Sequence, residues 1–178
     1  MQASRPSCGP SGVGGFRKRL LTLAALILSC GCGRSLSVVS ISPDIGTGTQ
    51  QTFTLVYSAP AGFSDLTNIG VLIATSTDAI DTCYVWYDPI HDALKLADDD
   101  AVNWIETSRR GQGSLENSQC RVTAAGSSMS GDGAKLTLRI PVTFKRAFAG
   151  RKIVYLYAEE RQGLKTGFVR KGRWAVPY

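Results

Sequence analysis

Histidine is nearly absent from this sequence, and the short motifs that mark common catalytic sites are missing altogether. His91 is the only histidine in 178 residues, and no two cysteines form a C-x-x-C pair. No G-x-S-x-G, H-E-x-x-H or phosphate-binding P-loop motif occurs. These absences predict a protein that is not an enzyme and that carries no metal ion or cofactor.

Long hydrophobic runs and charged residues are also scarce. Charged residues make up 19% of the chain, which is below the usual quarter, and 19 glycines favour turns over long helices. The one long apolar run, Leu20–Leu28, has about half the length that spans a bilayer. A multi-span membrane protein is therefore excluded, and the 43% hydrophobic content excludes a mainly disordered chain.

The apolar run follows a basic segment, as it does in a secretory signal peptide. Arg17, Lys18 and Arg19 precede Leu20–Leu28, and small residues follow the run. This order of basic, apolar and small residues is typical of a signal that is cleaved on export. We therefore expect an exported protein.

The end of the apolar run resembles the lipobox of bacterial lipoproteins. Ile27-Leu28-Ser29-Cys30 has the aliphatic, apolar, small and cysteine order of that motif, although leucine is unusual at its second position. The resemblance implies cleavage before Cys30, diacylglycerol on its sulfur and an acyl chain such as palmitate on its amino group. Plain secretion after cleavage near Ser29 is the alternative, and Cys32 is a poorer lipid acceptor.

The same resemblance divides the chain and predicts its location. It implies a signal peptide over residues 1–29, a flexible tether over residues 30–35 and one folded domain over residues 36–178. Gly31, rather than the aspartate that retains many Gram-negative lipoproteins in the inner membrane, follows the lipidated cysteine. The resemblance therefore implies a lipid-anchored protein of the outer membrane.

Removing the signal peptide changes the charge of the protein. Four basic residues and no acidic residue precede Cys30, so the net charge of +6 falls to +2 and nucleic-acid binding loses its main support. Residues 30–116 carry a net charge of −7 and residues 117–178 carry +9. The fold either interleaves these two parts or separates them into a dipolar molecule.

Cys83 and Cys120 are the two cysteines inside the expected domain. In an oxidising exported compartment, two such cysteines most simply pair, which predicts a disulfide that closes a loop of about 37 residues. Metal ligation is a weak rival, because His91 lacks a partner at zinc-site spacing.

The body of the chain alternates apolar and polar residues in short runs separated by turn residues. This pattern predicts about nine β-strands and one helical turn over residues 145–150. Pro141, inside a long alternating run, predicts an edge or a bend because proline cannot donate to a strand ladder. The pattern occurs in ten runs, from which about nine strands are expected: Ser35–Ser42, Gln51–Tyr57, Ile69–Ala74, Cys83–Tyr87, the shorter pair Ala93–Leu96 and Val102–Glu106, Cys120–Ala124, Ala134–Phe144, Lys152–Ala158 and Gly167–Val176.

Several of these runs resemble immunoglobulin-like or fibronectin type III-like modules of uncharacterised exported proteins from soil bacteria. The resemblance implies an all-β, immunoglobulin-like antiparallel β-sandwich and no activity. Trp86 stands only three residues after Cys83, so the predicted disulfide need not be the one that joins strands B and F of antibody domains. The stretches that carry the resemblance are Val39–Pro43, Phe53–Tyr57, Ser64–Leu66, Cys83–Pro89, Phe144–Gly150 and Val154–Ala158 with Gly172–Trp174.

Tyr84 and Trp86 are the candidate ligand-binding residues. They alternate with Cys83, so if the cysteine faces the core, both rings point to the opposite sheet face. Paired aromatic rings on an exposed face can stack on sugars, whereas burial beneath a loop would make them packing residues. Trp104 and Trp174 are expected to be core residues or cross-strand partners.

An acidic turn offers a second candidate site. Asp98-Asp99-Asp100, with Asp88 and Asp92 nearby, could supply oxygen ligands to calcium. The D-x-D-x-D-G spacing with a distal glutamate is missing, however, so a solvated hairpin turn is the favoured interpretation.

The sequence therefore predicts a lipid-anchored, non-catalytic adhesion or scaffold module of the cell envelope. Its expected partners are the membrane, through the lipid, and an envelope protein or polysaccharide. The alternative is a carbohydrate-binding module that uses Tyr84 and Trp86.

Overall fold

A computed structural model describes residues 35–178, which form thirteen β-strands and two short 3-10 helices. The 3-10 helices are Phe63–Asp65 and Arg146–Phe148, and the second lies at the predicted helical turn. The strands are β1 Ser37–Ser42, β2 Ile45–Thr47, β3 Gln50–Ser58, β4 Leu66–Ala74, β5 Cys83–Asp88, β6 Ala93–Ala97, β7 Trp104–Ser108, β8 Ser114–Glu116, β9 Cys120–Thr123, β10 Ser128–Asp132, β11 Lys135–Phe144, β12 Gly150–Glu160 and β13 Val169–Val176.

The strands form two sheets packed face to face, which confirms the predicted all-β sandwich. One sheet has six strands in the order β1-β3-β11-β9-β8, with β10 also paired to β11. The other has seven strands in the order β2-β13-β12-β4-β5-β6-β7, and only its β2–β13 pairing is parallel among the described strands. The orders β1-β3-β11-β9 and β13-β12-β4-β5-β6 correspond to those of a variable-type immunoglobulin domain.

The structure has more strands than the sequence predicts. The strands that the pattern missed are β2, β8 and β10, which have three to five residues and little apolar alternation. They form because a neighbouring strand offers unpaired backbone groups, as β13 does for β2. Pairing of this kind depends on the partner strand and leaves little signal in the local sequence.

The core lies between the sheets and follows the predicted alternation. In β3 the side chains of Phe53, Leu55 and Tyr57 are buried, while the residues between them are partly exposed. Trp174 of β13 is also buried and meets Phe53 edge to face, with 5.3 Å between the ring centres, which confirms its expected place in the core. Burial of these apolar side chains is the main force that holds the two sheets together.

The predicted disulfide is confirmed and joins the two sheets. Cys83 of β5 and Cys120 of β9 are bonded, with 5.7 Å between their Cα atoms and no exposed surface on either residue. The strands at the antibody B and F positions are β3 and β12, so this bridge lies elsewhere in the sandwich.

Pro141 lies in a central strand, so of the two predicted alternatives, an edge or a bend, the edge is wrong. It pairs with Thr52 of β3 on one side of β11. On the other side, β10 pairs with residues 135–139 and β9 with residues 142–144. Pro141 lies in the gap between these two ladders, where its missing N–H group leaves no partner unsatisfied.

The expected signal peptide over residues 1–29, the lipidation site at Cys30 and nearly all of the tether over residues 30–35 lie outside the described residues. Within residues 35–178, no helix is long and apolar enough to span a bilayer.

Candidate aromatic binding face

The outer face of the seven-stranded sheet, which points away from the six-stranded sheet, carries the candidate site. In β5, Cys83, Val85 and Tyr87 belong to the core between the sheets. Tyr84 and Trp86 belong to a separate set of contacts on the outer face. The predicted orientation of these two rings relative to Cys83 is thus confirmed.

Five rings meet on this outer face, and we call them the aromatic cluster: Tyr84, Trp86, Trp104, Tyr157 and Phe168. The ring of Tyr84 lies 5.0 Å from that of Trp104, 5.7 Å from that of Phe168 and 5.9 Å from that of Trp86. Tyr157 lies 5.7 Å from Phe168. These centre-to-centre distances lie in the range where aromatic pairs attract one another.

Gly70 makes room for the closest parallel pair in the cluster. Tyr157 of β12, Gly70 of β4 and Trp86 of β5 form one row across three neighbouring strands. A β-carbon at Gly70 would lie 3.1 Å from two indole atoms of Trp86. Without that carbon, the rings of Trp86 and Tyr157 approach to 5.5 Å with only 15° between their planes.

The most exposed rings are not the two that the sequence nominates. Tyr84 is only 8% exposed, because its neighbours cover it, and Trp86 is half-buried. Trp104 and Phe168 are 37% and 36% exposed. An approaching ligand therefore meets Trp104 and Phe168 first, and Tyr84 supports them from beneath.

Two of the exposed positions bear on the sequence-based expectations. Trp104 lies outside the core and fits the other part of its expectation, because its ring contacts those of Tyr84 and Trp86 across strands. The sequence places Phe168 in the predicted strand Gly167–Val176 and gives it no role in a site, whereas in the structure it lies just before β13. Tyr157 did carry a signal, since it alternates with the buried Leu156 and Ala158.

The indole nitrogen of Trp86 is a buried donor without a partner. Its Nε1 atom has almost no solvent-accessible surface, and its N–H group donates no hydrogen bond of normal geometry within the described residues. A buried N–H group that remains unpaired costs about 1–3 kcal/mol. An acceptor on a bound ligand that reached this donor would remove that cost.

Charged side chains surround the aromatic cluster. Lys95 lies beside Trp86 in the neighbouring strand and forms ion pairs with Glu106 at 3.4 Å and Asp88 at 3.8 Å. On the other side, the hydroxyl of Tyr157 donates to Glu159 over 3.1 Å. Such groups can orient a polar ligand that rests on the rings.

Burial controls the ionisation of the two tyrosines of the cluster. It raises the pKa of Tyr84 to about 12. Burial also raises the pKa of Tyr157 to about 12, and the neighbouring Glu159 carboxylate adds to the effect. Both hydroxyl groups therefore remain protonated at neutral pH and serve as hydrogen-bonding groups rather than as bases.

His91 and Asp88 form a structured turn at one end of β5. The His91 Nδ1 atom lies 2.8 Å from Asp88 Oδ2, and the backbone N–H groups of Ile90 and His91 donate to Asp88 Oδ1. Burial raises the pKa of Asp88, but the hydrogen bonds from His91 and Ile90 outweigh burial and hold it below its usual value. These contacts give the pair a structural role in ending the strand.

The acidic turn is used for local hydrogen bonding. Asp98 accepts from the backbone N–H groups of Val102 and Asn103, and Asp99 accepts from Ser118. Among residues 35–178, no three acidic, histidine or cysteine side chains are placed to hold a metal ion. The arrangement is that of a hairpin turn between β6 and β7.

Comparison with known proteins adds no further assignment. No protein-family model matches the chain, and no curated protein matches it.

Proposed function

We propose that this protein is a lipid-anchored, non-catalytic interaction module of the cell envelope that binds its partner through the aromatic cluster. The observation that supports this proposal is the set of five packed rings on an outer sheet face, with Trp104 and Phe168 each more than one-third exposed. Aromatic side chains are enriched at protein interfaces and in ligand sites, where they supply much of the binding energy.

The packing of the rings favours binding because it limits their freedom before a partner arrives. Tyr84 contacts Trp86, Trp104 and Phe168, so the exposed rings rest on a buried one. Side chains that are already ordered lose less conformational entropy on binding. The ion pairs of Lys95 and the charged Glu159 at the margin supply the polar contacts that give specificity.

The sequence supports the proposed location of the protein at the outer membrane. The lipobox-like segment that ends at Cys30 supports attachment to the outer membrane by lipid, and residues 31–35 supply the slack between membrane and domain. In this arrangement the lipid holds the domain at the envelope, and the sheet face meets an envelope protein or polysaccharide.

Carbohydrate binding is the second candidate function, and the surroundings of Trp86 favour it. The stacked rings of Trp86 and Tyr157 lie between Lys95 and Glu159. In a sugar-binding site, aromatic rings contact the apolar face of the sugar and nearby charged groups form hydrogen bonds with its hydroxyls. The surroundings of Trp86 have this composition.

Binding by variants of the two exposed rings tests the proposal. Full-length protein in detergent micelles would be applied to a glycan array, to insoluble envelope polysaccharide and to crosslinking in intact envelopes. Trp104→Ala and Phe168→Ala should each weaken binding at least about tenfold, because truncating a central interface aromatic typically costs 2 kcal/mol or more. Tyr178→Ala, which removes a fully exposed ring outside the cluster, is the matched control.

Each outcome separates the candidates. Glycan binding lost in the two variants but kept in Tyr178→Ala selects the carbohydrate module, whereas a protein crosslink with the same dependence selects the protein interaction. Unchanged binding by folded Trp104→Ala and Phe168→Ala proteins would exclude the aromatic cluster as the site. Turnover of a substrate in proportion to protein concentration would overturn the non-catalytic assignment.

A further inference from the structure

A group of basic residues lies on the same sheet, toward the edge formed by β13 and β2. Five cationic residues of β12 and β13 surround two adjoining cavities of about 360 and 280 Å³, and we call this region the basic cleft. Ile45 of β2 lines both cavities. The five residues are Arg151, Lys152, Arg170, Lys171 and Arg173.

The fold collects these charges because of the order of strands in the seven-stranded sheet. β12 and β13 come from the basic part of the chain and lie next to each other, with β4 to β7 of the acidic part on one side and the uncharged β2 on the other. In the six-stranded sheet, β11 and β9 of the basic part likewise lie between β3 and β8 of the acidic part. Strands of the two parts are therefore interleaved in both sheets, and the basic residues of β12 and β13 are brought together because these two strands are neighbours.

The charges of the basic cleft are not neutralised by the protein. Among residues 35–178, ion pairs hold other cations such as Arg109 and Arg161, but none of the five cleft residues forms one. The one acidic residue lining either cavity is the exposed Asp44. Clustered cations without counter-charges create a positive potential that attracts anions.

Both lysines of the cleft make contacts within the fold, while the arginines remain available. Lys152 lies over the ring of Phe148, with 4.1 Å between its nitrogen and the ring centre, and Lys171 donates to the carbonyl of Val39 over 3.2 Å. Arg170 and Arg173 are exposed. A guanidinium group is suited to carboxylate, sulfate and phosphate because it can donate two parallel hydrogen bonds.

We infer that the basic cleft binds the acidic groups of a polysaccharide whose sugar rings lie on the aromatic cluster. Arg170 pairs with Tyr155 in the neighbouring strand, and Tyr155 lies in the same strand as Tyr157 of the cluster. Three strand spacings separate β13 from β5, which is about 14 Å. One extended sugar chain can therefore reach both regions, and this inference rests on the proposed function in its carbohydrate form.

The position of the basic cleft favours a polysaccharide over an anionic membrane. β1 begins at Ser37, which pairs with Ser58 at the end of β3. From Ser58 the chain leads to Leu66, the first residue of β4, which pairs with Glu160 at the end of β12. The domain therefore begins at the end of the sandwich where β12 ends. Arg170 and Arg173 pair with Tyr155 and Ile153 of β12, which precede Glu160 by five and seven residues, or about 17 and 24 Å along the strand. Arg151 precedes Glu160 by nine residues, or about 30 Å. A membrane at the end where the domain begins would thus be separated from all three arginines along the strands.

Titration of the full-length protein in neutral detergent micelles tests the inference. The probes are oligogalacturonate and dextran sulfate as acidic sugars, dextran as a neutral sugar, and vesicles of phosphatidylcholine with phosphatidylglycerol. At least one acidic sugar should bind, and rising salt should weaken its binding because ions screen the cleft. Dextran should bind less tightly, and the vesicles should bind no better than vesicles of phosphatidylcholine alone.

Charge variants locate the site. Arg170→Gln combined with Arg173→Gln should weaken binding of the acidic sugar at least about tenfold, because hydrogen bonds to charged groups are lost. Lys135→Gln combined with Arg139→Gln removes the same charge from exposed positions of β11 in the other sheet. The protein with these two control substitutions should bind the acidic sugar with an affinity within about twofold of the wild type if the cleft, rather than net charge, is responsible for binding.

Several results would overturn the inference: no binding of either acidic sugar, equal binding of dextran, equal weakening by the two charge-variant pairs, or binding of the anionic vesicles alone. If the arginine variant does not fold, side-chain Nε–Hε NMR signals of Arg170 and Arg173 in the wild type must shift on titration, and unchanged signals count against the site. Trp104→Ala in the same titration separates the two proposals. Binding that depends on Trp104 but not on the arginines refutes the cleft alone, and the reverse refutes the aromatic cluster alone.

Discussion

At the scale of single residues, one buried asparagine connects three separate parts of the sandwich. The Asn117 amide nitrogen donates to the carbonyls of Thr82 and Ala97 over 2.9 and 3.0 Å. Its amide oxygen accepts from the backbone N–H groups of Gln119 and Cys120, both over 2.9 Å. These four bonds hold the start of β9 against the start of β5 and the end of β6.

Replacing Asn117 by alanine should therefore destabilise the protein. Four buried backbone groups would lose their partner, so we expect the free energy of unfolding to fall by about 2–4 kcal/mol. The shift of the urea unfolding midpoint measures this change.

Asn103→Ala is the matched control for that substitution. The Asn103 amide bonds to Asp98 at an exposed turn, so its loss should cost less than about 1 kcal/mol. Equal midpoints for the two variants would show that the buried bonds of Asn117 do not carry the stability assigned to them.

At the scale of elements, the disulfide supports one of the weakest strands of the six-stranded sheet. β9 has four residues and makes three pairings with β11 and three with β8. Cys120, its first residue, is bonded to Cys83 of the opposite sheet across a sequence separation of 37 residues. The bridge thus replaces backbone pairing that such a short strand cannot supply.

Removing this bridge by Cys83→Ala with Cys120→Ala should lower the free energy of unfolding by about 4 kcal/mol, because the unfolded chain gains the freedom that a closed loop of this length denies it. Urea unfolding without reductant measures the loss. Reductant should shift the wild type toward the double variant and leave the variant itself unchanged. The same midpoint for both proteins without reductant would contradict a stabilising role.

At the scale of the whole molecule, the chain enters the sandwich at one end and presents two chemically different regions on one sheet. The aromatic cluster extends from β12 to β7, and the basic cleft lies on β12 and β13. A lipid at Cys30 would be joined to Ser37 by only six intervening residues, or about 20 Å of extended chain. The proposed attachment therefore holds the domain close to the membrane.

Substitution of Cys30 tests that attachment. In a Gram-negative host, Cys30→Ser should lose lipid modification and leave the membrane fraction, because the acyl chains supply the membrane affinity. Cell fractionation and the mass of the N-terminal peptide measure the outcome. Cys32→Ser should remain lipidated and membrane-bound, and membrane association of Cys30→Ser equal to that of the wild type would refute the anchor.

Local sequence patterns predict some features of the sandwich and not others. Alternation around Phe53, Leu55 and Tyr57 predicts both a strand and its buried face, because side chains of a strand point alternately to its two sides. The edge assignment of Pro141 fails for the opposite reason. Whether a proline tolerates a central strand depends on where the partners of that strand end, and those partners are β9 and β10.

In the candidate site, too, some features are determined by the sequence and others only by the tertiary structure. The sequence by itself determines the all-β class, the pairing of Cys83 with Cys120, and the orientation of Tyr84 and Trp86 toward the sheet face opposite to Cys83. Each of these depends on the period of a strand or on the number of available partners. Only the tertiary structure decides that Trp104 and Phe168 join these rings and that the arginines of β13 remain unpaired. Those contacts depend on the order of strands in the sheet, which brings together side chains that are far apart along the chain.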